Sequence, residues 1–225
     1  EGGKIAIRSG KAGTSPAARA VAIDIQSSSQ LLALLAAAPS PRPGGQITIR
    51  ATGANSDVNV QGRVQADGGL VDVRHTGAGG HINVGATNGT EGLPTTEIRG
   101  DVIKIAALGD NGVLRIGGGL ISADTTLQLY APGSNGEVRF IANVSLNGNS
   151  VKSIAGDTVT ILSGVNVNIG GPAAGIFVNS TNGVPNANYS GFGGNGSTTG
   201  TFTGSGANAP QPLGNAPPIG PNPGG

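Results

Sequence analysis

Apolar and polar residues alternate most clearly over residues 112–131, GVLRIGGGLISADTTLQLYA. Leu114 and Ile116, then Leu127 and Leu129, sit two residues apart, the period of a half-buried strand, and helical spacing fits less well. The stretch predicts strand, glycine corner, strand, polar turn, strand. Such a short unit cannot bury its own apolar face. It becomes stable when similar units stack on it, which is the logic of a solenoid.

The rest of the chain repeats that unit. Residues 2–8 read GGKIAIR, 44–50 GGQITIR and 68–74 GGLVDVR, with looser copies GGHINV at 79–84, NGVLRI at 111–116 and NGEVRFI at 135–141. The copies at 44 and 68, and those at 111 and 135, start 24 residues apart. A turn of that length holds three short strands and three corners, one rung of a parallel β-helix. The expected fold is all-β: a right-handed parallel β-helix of about seven rungs over residues 1–178, on the order of 35 Å long at ~4.8 Å per rung. Ile5, Ile7, Ile47, Ile49, Val71 and Val73 should point into the coil, and Lys4, Arg8, Gln46, Arg50, Asp72 and Arg74 out of it. Paired glycines before the strands suit corners that need positive φ or have no room for a side chain.

Two stretches break the repeat. Residues 27–43, SSSQLLALLAAAPSPRP, carry a serine cap, a Leu/Ala run and a closing proline, which predicts a short helix covering an end or flank, or docking a neighbour. Leu31, Leu32, Leu34 and Leu35 are its candidate assembly residues. Residues 179–225, rich in Gly, Asn, Ser, Thr and Pro, predict an extended tail docked on its own or a neighbouring subunit, anchored by Tyr189, Phe192, Phe202, Leu213 and Ile219.

Composition narrows the function. Aromatic residues make up 3% of the chain and charged residues 11%, less aromatic mass than a compact enzyme core usually carries. A net charge of +1 without a Lys/Arg run argues against a nucleic-acid partner, and no apolar run is long enough to span a bilayer. There is no cysteine, hence neither disulfide nor thiolate metal site. There is no methionine either, which points to a processed product or an excerpt, and the first outcome fits secretion. With the leading phrase at Gly2, no separate cap is expected before it.

Candidate chemistry is sparse. Arg8, Arg50 and Arg74 occupy equivalent positions of the tight copies and should form a column, needing counter-charge from Asp72 or from an anionic ligand such as a glycan. Arg99-Gly100-Asp101 matches an adhesion tripeptide in letters, but a corner glycine is expected there anyway. His75 and His81 lack companions for a metal site and are expected to face solvent. The twelve acidic residues are scattered, which disfavours the acid–base cluster of a polysaccharide-degrading β-helix, and no cofactor is expected.

Residues 117–131, GGGLISADTTLQLYA, and 60–74, VQGRVQADGGLVDVR, resemble the repeats of filamentous-haemagglutinin-type exoproteins secreted by the two-partner route. The resemblance covers residues 44–171 and implies a right-handed parallel β-helix, a secreted or cell-surface location, and adhesive or fibrous roles. The expected function is a structural, non-enzymatic subunit of an extracellular filament, a homopolymer growing head to tail. A monomeric adhesin or glycan-binding fragment is the alternative, and a polysaccharide-degrading enzyme the remote one.

Overall fold

The computed structural model describes residues 2–34, 44–86, 96–148, 151–162, 165–169, 176–180, 201–203 and 210–212. Among them every element is a strand and every pairing is parallel, in a twelve-stranded and a six-stranded sheet. The arrangement is compatible with a β-solenoid.

Parallel strands cannot be joined by tight hairpins, so each chain segment must travel away before returning beside its predecessor. Here it does so in a fixed order. β1 (Lys4–Ser9) lies in the large sheet, β2 (Ala20–Ile25) in the small one, and β3 (Gln30–Ala33) in the large sheet again. β4 (Gln46–Ala51) returns to pair with β1, β5 (Ser56–Val60) with β2, and the long β6 (Arg63–His75) with β3 through its first half and β4 through its second. The large sheet thus has two arms. Arm P contains β3 and the first parts of β6, β8 (Glu97–Ala107) and β10 (Gly119–Ala131), then β12 (Val144–Asn147), β15 (Asn166–Ile169) and β17 (Thr201–Thr203). Arm Q contains β1, β4 and the later parts of the long strands, then β13 (Val151–Gly156), β16 (Ile176–Ser180) and β18 (Pro210–Pro212). The small sheet runs β2, β5, β7 (His81–Val84), β9 (Val113–Ile116), β11 (Glu137–Phe140) and β14 (Thr158–Ile161). From β1–β2–β3 to β13–β14–β15 the chain visits arm Q, the small sheet and arm P in that order.

Alternation explains the core. Ile47, Ile49, Val71 and Val73 are fully buried, as expected, and meet Val58, Ile82, Leu114, Ile98 and Leu127 in one apolar cluster. Ile5 and Ile7 point the same way but are only partly buried, because among the described residues β1 has a neighbour on one side only. Gly44, Gly45 and Gly69 are dictated by lack of space: a Cβ would lie 1.7 Å from the carbonyl oxygen of Gly68 at position 44, 1.9 Å from that of Ala33 at 45, and 1.8 Å from that of Gly45 at 69. Gly68, which precedes Gly69, takes a positive φ of 56°.

The corner leading into the small sheet uses another device. Asn55, Gly79, Asn111 and Asn135 all have φ between 49° and 63°, the left-handed region that asparagine tolerates best among residues with a side chain. Each stacks on the next: Asn55 N–H donates to the Ala78 carbonyl, Gly79 N–H to that of Asp110, and Asn111 N–H to that of Ser134.

The helix expected in residues 27–43 is not formed where the chain is described. Gln30–Ala33 is strand β3, in register with Arg63–Ala66. Leu and Ala favour helix, but an edge strand beside β6 places Ala33 in the core at 1% exposure and packs Leu31 against it, and tertiary burial overrides propensity. Leu32 is half-buried and Leu34 exposed, while Leu35 lies outside the described residues. In the tail, β17 and β18 pair with β15 and β16, so Phe202 stands in register with Val167. Tyr189, Phe192, Leu213 and Ile219 lie outside the described residues.

Candidate functional site

Arm Q assembles the arginine column from distant sequence. Arg8 is the register partner of Arg50, and Arg50 of Arg74. The row then turns apolar through Ala106 and Tyr130, which pack together with Ala155. Asp72 and Arg74, expected to be exposed, are on the outer side but covered, at 2% and 6% exposure. Two-residue alternation fixes which face a side chain takes, not whether anything shields it. Asp72 Oδ1 accepts a hydrogen bond from Arg74 Nε at 2.6 Å, and its Oδ2 lies 3.6 Å from Arg50. The counter-charge within the column is therefore concentrated on Arg74. Lys4 and Arg8 have no ion-pair partner among the described residues, and Arg50 Nε is a buried donor without a hydrogen-bond acceptor. Lys4, Arg8, Gln46, Thr48 and Arg50 line a shallow concavity.

A polar network on the outer face of the small sheet, with a buried inward pair, Ser56 and His75, beside it, escaped the sequence reading. His75 and His81 do not face solvent. His75 is fully buried, with the Gly77 N–H donating to its Nδ1 at 3.2 Å and Ser56 Oγ 2.8 Å from its Nε2. Nδ1 as acceptor requires the neutral ring with its proton on Nε2, donated to Ser56, whose hydroxyl passes on to the Gly53 carbonyl at 2.8 Å. Burial, reinforced by Arg19, lowers the His75 pKa from 6.5 to about 4, against the opposing pull of Asp57. His81 is lowered to about 3 by burial and then by Arg115, Arg19 and His75. Arg115 donates to its Nδ1 at 2.8 Å, so the Asp57 carboxylate 3.5 Å from the same nitrogen is not its hydrogen-bond partner. Asp57 is held instead by Arg19 Nε at 2.7 Å.

Beside this runs a ladder of amides and guanidinia. Asn83 Nδ2 donates to Asn59 Oδ1 at 2.9 Å, Arg115 to Asn83 Oδ1 at 3.3 Å, and Arg139 to Glu137 at 2.9 Å. Burial lowers the Arg115 pKa, with Arg139 and Arg19 adding to the effect while Asp57 and Glu137 oppose it. The sequence did hold a signal for this network. Asp57 and His81, Asn59 and Asn83, and Arg115 and Arg139 are each 24 residues apart, the spacing of the tight repeats. The network braces successive strands. Ser56 and His75 are both sealed at 0% exposure, so no substrate reaches the hydroxyl without opening the fold.

Arg99, Gly100 and Asp101 lie inside β8, not at a loop tip. Arg99 pairs with Glu97, and Asp101 accepts a hydrogen bond from Thr125 Oγ1 at 2.7 Å. Gly100 is buried, and a Cβ there would sit 3.1 Å from the Gly69 carbonyl oxygen. Among the described residues no group of His, Asp and Glu could hold a metal ion, and no helix is long and apolar enough to cross a membrane. No protein-family model, curated protein or solved structure matches this chain.

Proposed function

We propose that the chain coils as a right-handed parallel β-helix of about seven rungs and serves as a structural subunit of an extracellular filament, adding copies end to end. The observation that carries the reading is an open end: β1, β2 and β3, one strand from each side of a circuit, are each paired on one side only among the described residues. Their free edges present unpaired backbone groups, and Ile5, Ile7, Ala22 and Leu31 are only partly covered. A parallel layer from a second copy would satisfy both needs, and a contact between unlike ends that does not close on itself gives an open fibre.

The opposite end supplies β14, β17 and β18 as edges. Two of the three residues in β18 are Pro210 and Pro212, which lack an N–H, so pairing at that junction would rest chiefly on β14 and β17. The likeness of residues 60–74 and 117–131 to filamentous-haemagglutinin-type repeats supports the same reading. Negative-stain electron microscopy with light scattering over a concentration series tests it. Long uniform fibres are expected; particles that stay monomeric throughout would refute intrinsic polymerisation.

A further inference from the structure

The register sorts the charges in a way that the net charge conceals. At the outward positions of β1, β4 and the later parts of β6, β8 and β10 stand Lys4, Arg8, Arg50, Arg74 and Lys104, against the single carboxylate Asp72. That face carries +4 in a chain whose total is +1. Asp72 is spent chiefly on the buried Arg74 and is shared with Arg50 at 3.6 Å, while Lys4 and Arg8, around the same concavity, have no ion-pair partner among the described residues. Arg50 lines the concavity, and its buried Nε–H has no acceptor, which leaves its guanidinium short of one hydrogen bond.

We infer that the Lys4–Arg8–Arg50 concavity is a binding site for the carboxylate or sulfate groups of a linear acidic polysaccharide. Guanidinia in register on neighbouring strands stand ~4.8 Å apart at the backbone, close enough for two to bracket one oxyanion in charge-assisted hydrogen bonds. Gln46 and Thr48 lie between the cations and supply neutral donors and acceptors suited to sugar hydroxyls. A single-stranded nucleic acid would call for exposed aromatic rings on which bases stack, and duplex DNA for an element that enters a groove. The aromatic residue among these outward positions, Tyr130, is 5% exposed, and the face is a sheet. The inference does not depend on polymerisation, since one chain holds the whole site.

The test is calorimetric titration of the full chain with dextran sulfate, polygalacturonate, neutral dextran and duplex DNA at about 50 and 300 mM salt. Binding of dextran sulfate or polygalacturonate at low salt, weakened at high salt, with no response to neutral dextran, is the expected result. The double variant Arg8→Gln/Arg50→Gln should weaken it at least about tenfold, and Lys4→Gln, at an exposed position away from the core, by about threefold. Arg99→Gln, an exposed arginine of arm P paired with Glu97, should leave it within about twofold. No binding at low salt, equal loss in Arg99→Gln, or duplex DNA binding as tightly as the acidic polysaccharides would overturn the assignment.

Discussion

Ile7 and Ile49 occupy one inward row, continued by Val73, Ile105, Leu129 and Ile154, and differ mainly in what lies above them. Ile49 is 0% exposed between β1 and β6, whereas Ile7 has β4 on one side and, among the described residues, no strand on the other. Truncating Ile49 to alanine removes three buried carbons, worth about 2.4 kcal/mol by transfer, and leaves a cavity that brings the expected cost to about 4 kcal/mol. Ile7→Ala removes the same atoms from a half-covered site that opens outward, so no closed cavity forms and about 1.5 kcal/mol is expected. In dilute protein the urea midpoint should therefore fall two to three times further for Ile49→Ala. Hydrogen exchange at β4 amides would show whether a stacked array unfolds as one unit. If a second copy covers β1, the deficit at Ile7 becomes an association penalty. A loss of about 1.4 kcal/mol per contact raises the concentration at which light scattering begins by about tenfold. Equal costs at the two positions in dilute protein would show that β1 is not an edge. An unchanged assembly onset in Ile7→Ala would show that growth does not use this end.

Acid should destabilise the fold through its two histidines. Both are held neutral, His75 to about pH 4 and His81 to about pH 3, while the unfolded chain takes up protons from about pH 6.5 downward. Their contribution is complete above 6.5 and is lost as the pH falls toward those values; the urea midpoint should drop between pH 7 and 4, with a shallower slope in His81→Asn, and a flat profile would refute the arrangement. Gly69→Ala puts a Cβ 1.8 Å from the Gly45 carbonyl oxygen and should cost about 3 kcal/mol, whereas Gly10→Ala, 3.7 Å from Thr52 Oγ1, should change the thermal midpoint little. Equal midpoints for the two variants would show that the corner backbones are not in contact.

How much of this was legible in the sequence depends on the range of the interaction. The rows through Ile47, Ile49, Val71 and Val73 could be read because alternation is local and the phrase around it recurs. The glycine corners could be read for the same reason, although the operative cause at Gly45 and Gly69 is the nearness of another backbone. The Leu/Ala run was misread because helix propensity is a weak local preference, and at β3 it competes with a slot beside β6 contributed from 33 residues away, Gln30 pairing with Arg63. His75 and His81 looked isolated because their partners Ser56, Arg19 and Arg115 come from other strands and segments.

The charges show the same division more sharply. Counted along the chain they nearly cancel, and no cluster of basic residues occurs. A repeat of parallel strands converts residues one repeat apart into neighbours, so isolated residues at equivalent positions become ladders: asparagine at the left-handed corner, amide and guanidinium on the small sheet, arginine on arm Q. Each ladder carries a different consequence. The asparagine corners close the turns at little steric cost, and the amide ladder satisfies polar groups that the fold buries. The arginine ladder on arm Q is left electrostatically incomplete, because one carboxylate, Asp72, serves two guanidinia at 2.6 and 3.6 Å while Lys4 and Arg8 beside it have no ion-pair partner among the described residues. Stability alone would favour a second acid near Arg8, and the column of register partners, Ala6, Thr48, Asp72 and Lys104, offers none there. Lys4 and Arg8 thus contrast with Arg19, Arg63, Arg99 and Arg139, each of which has a carboxylate partner, Arg63 and Arg99 sharing Glu97.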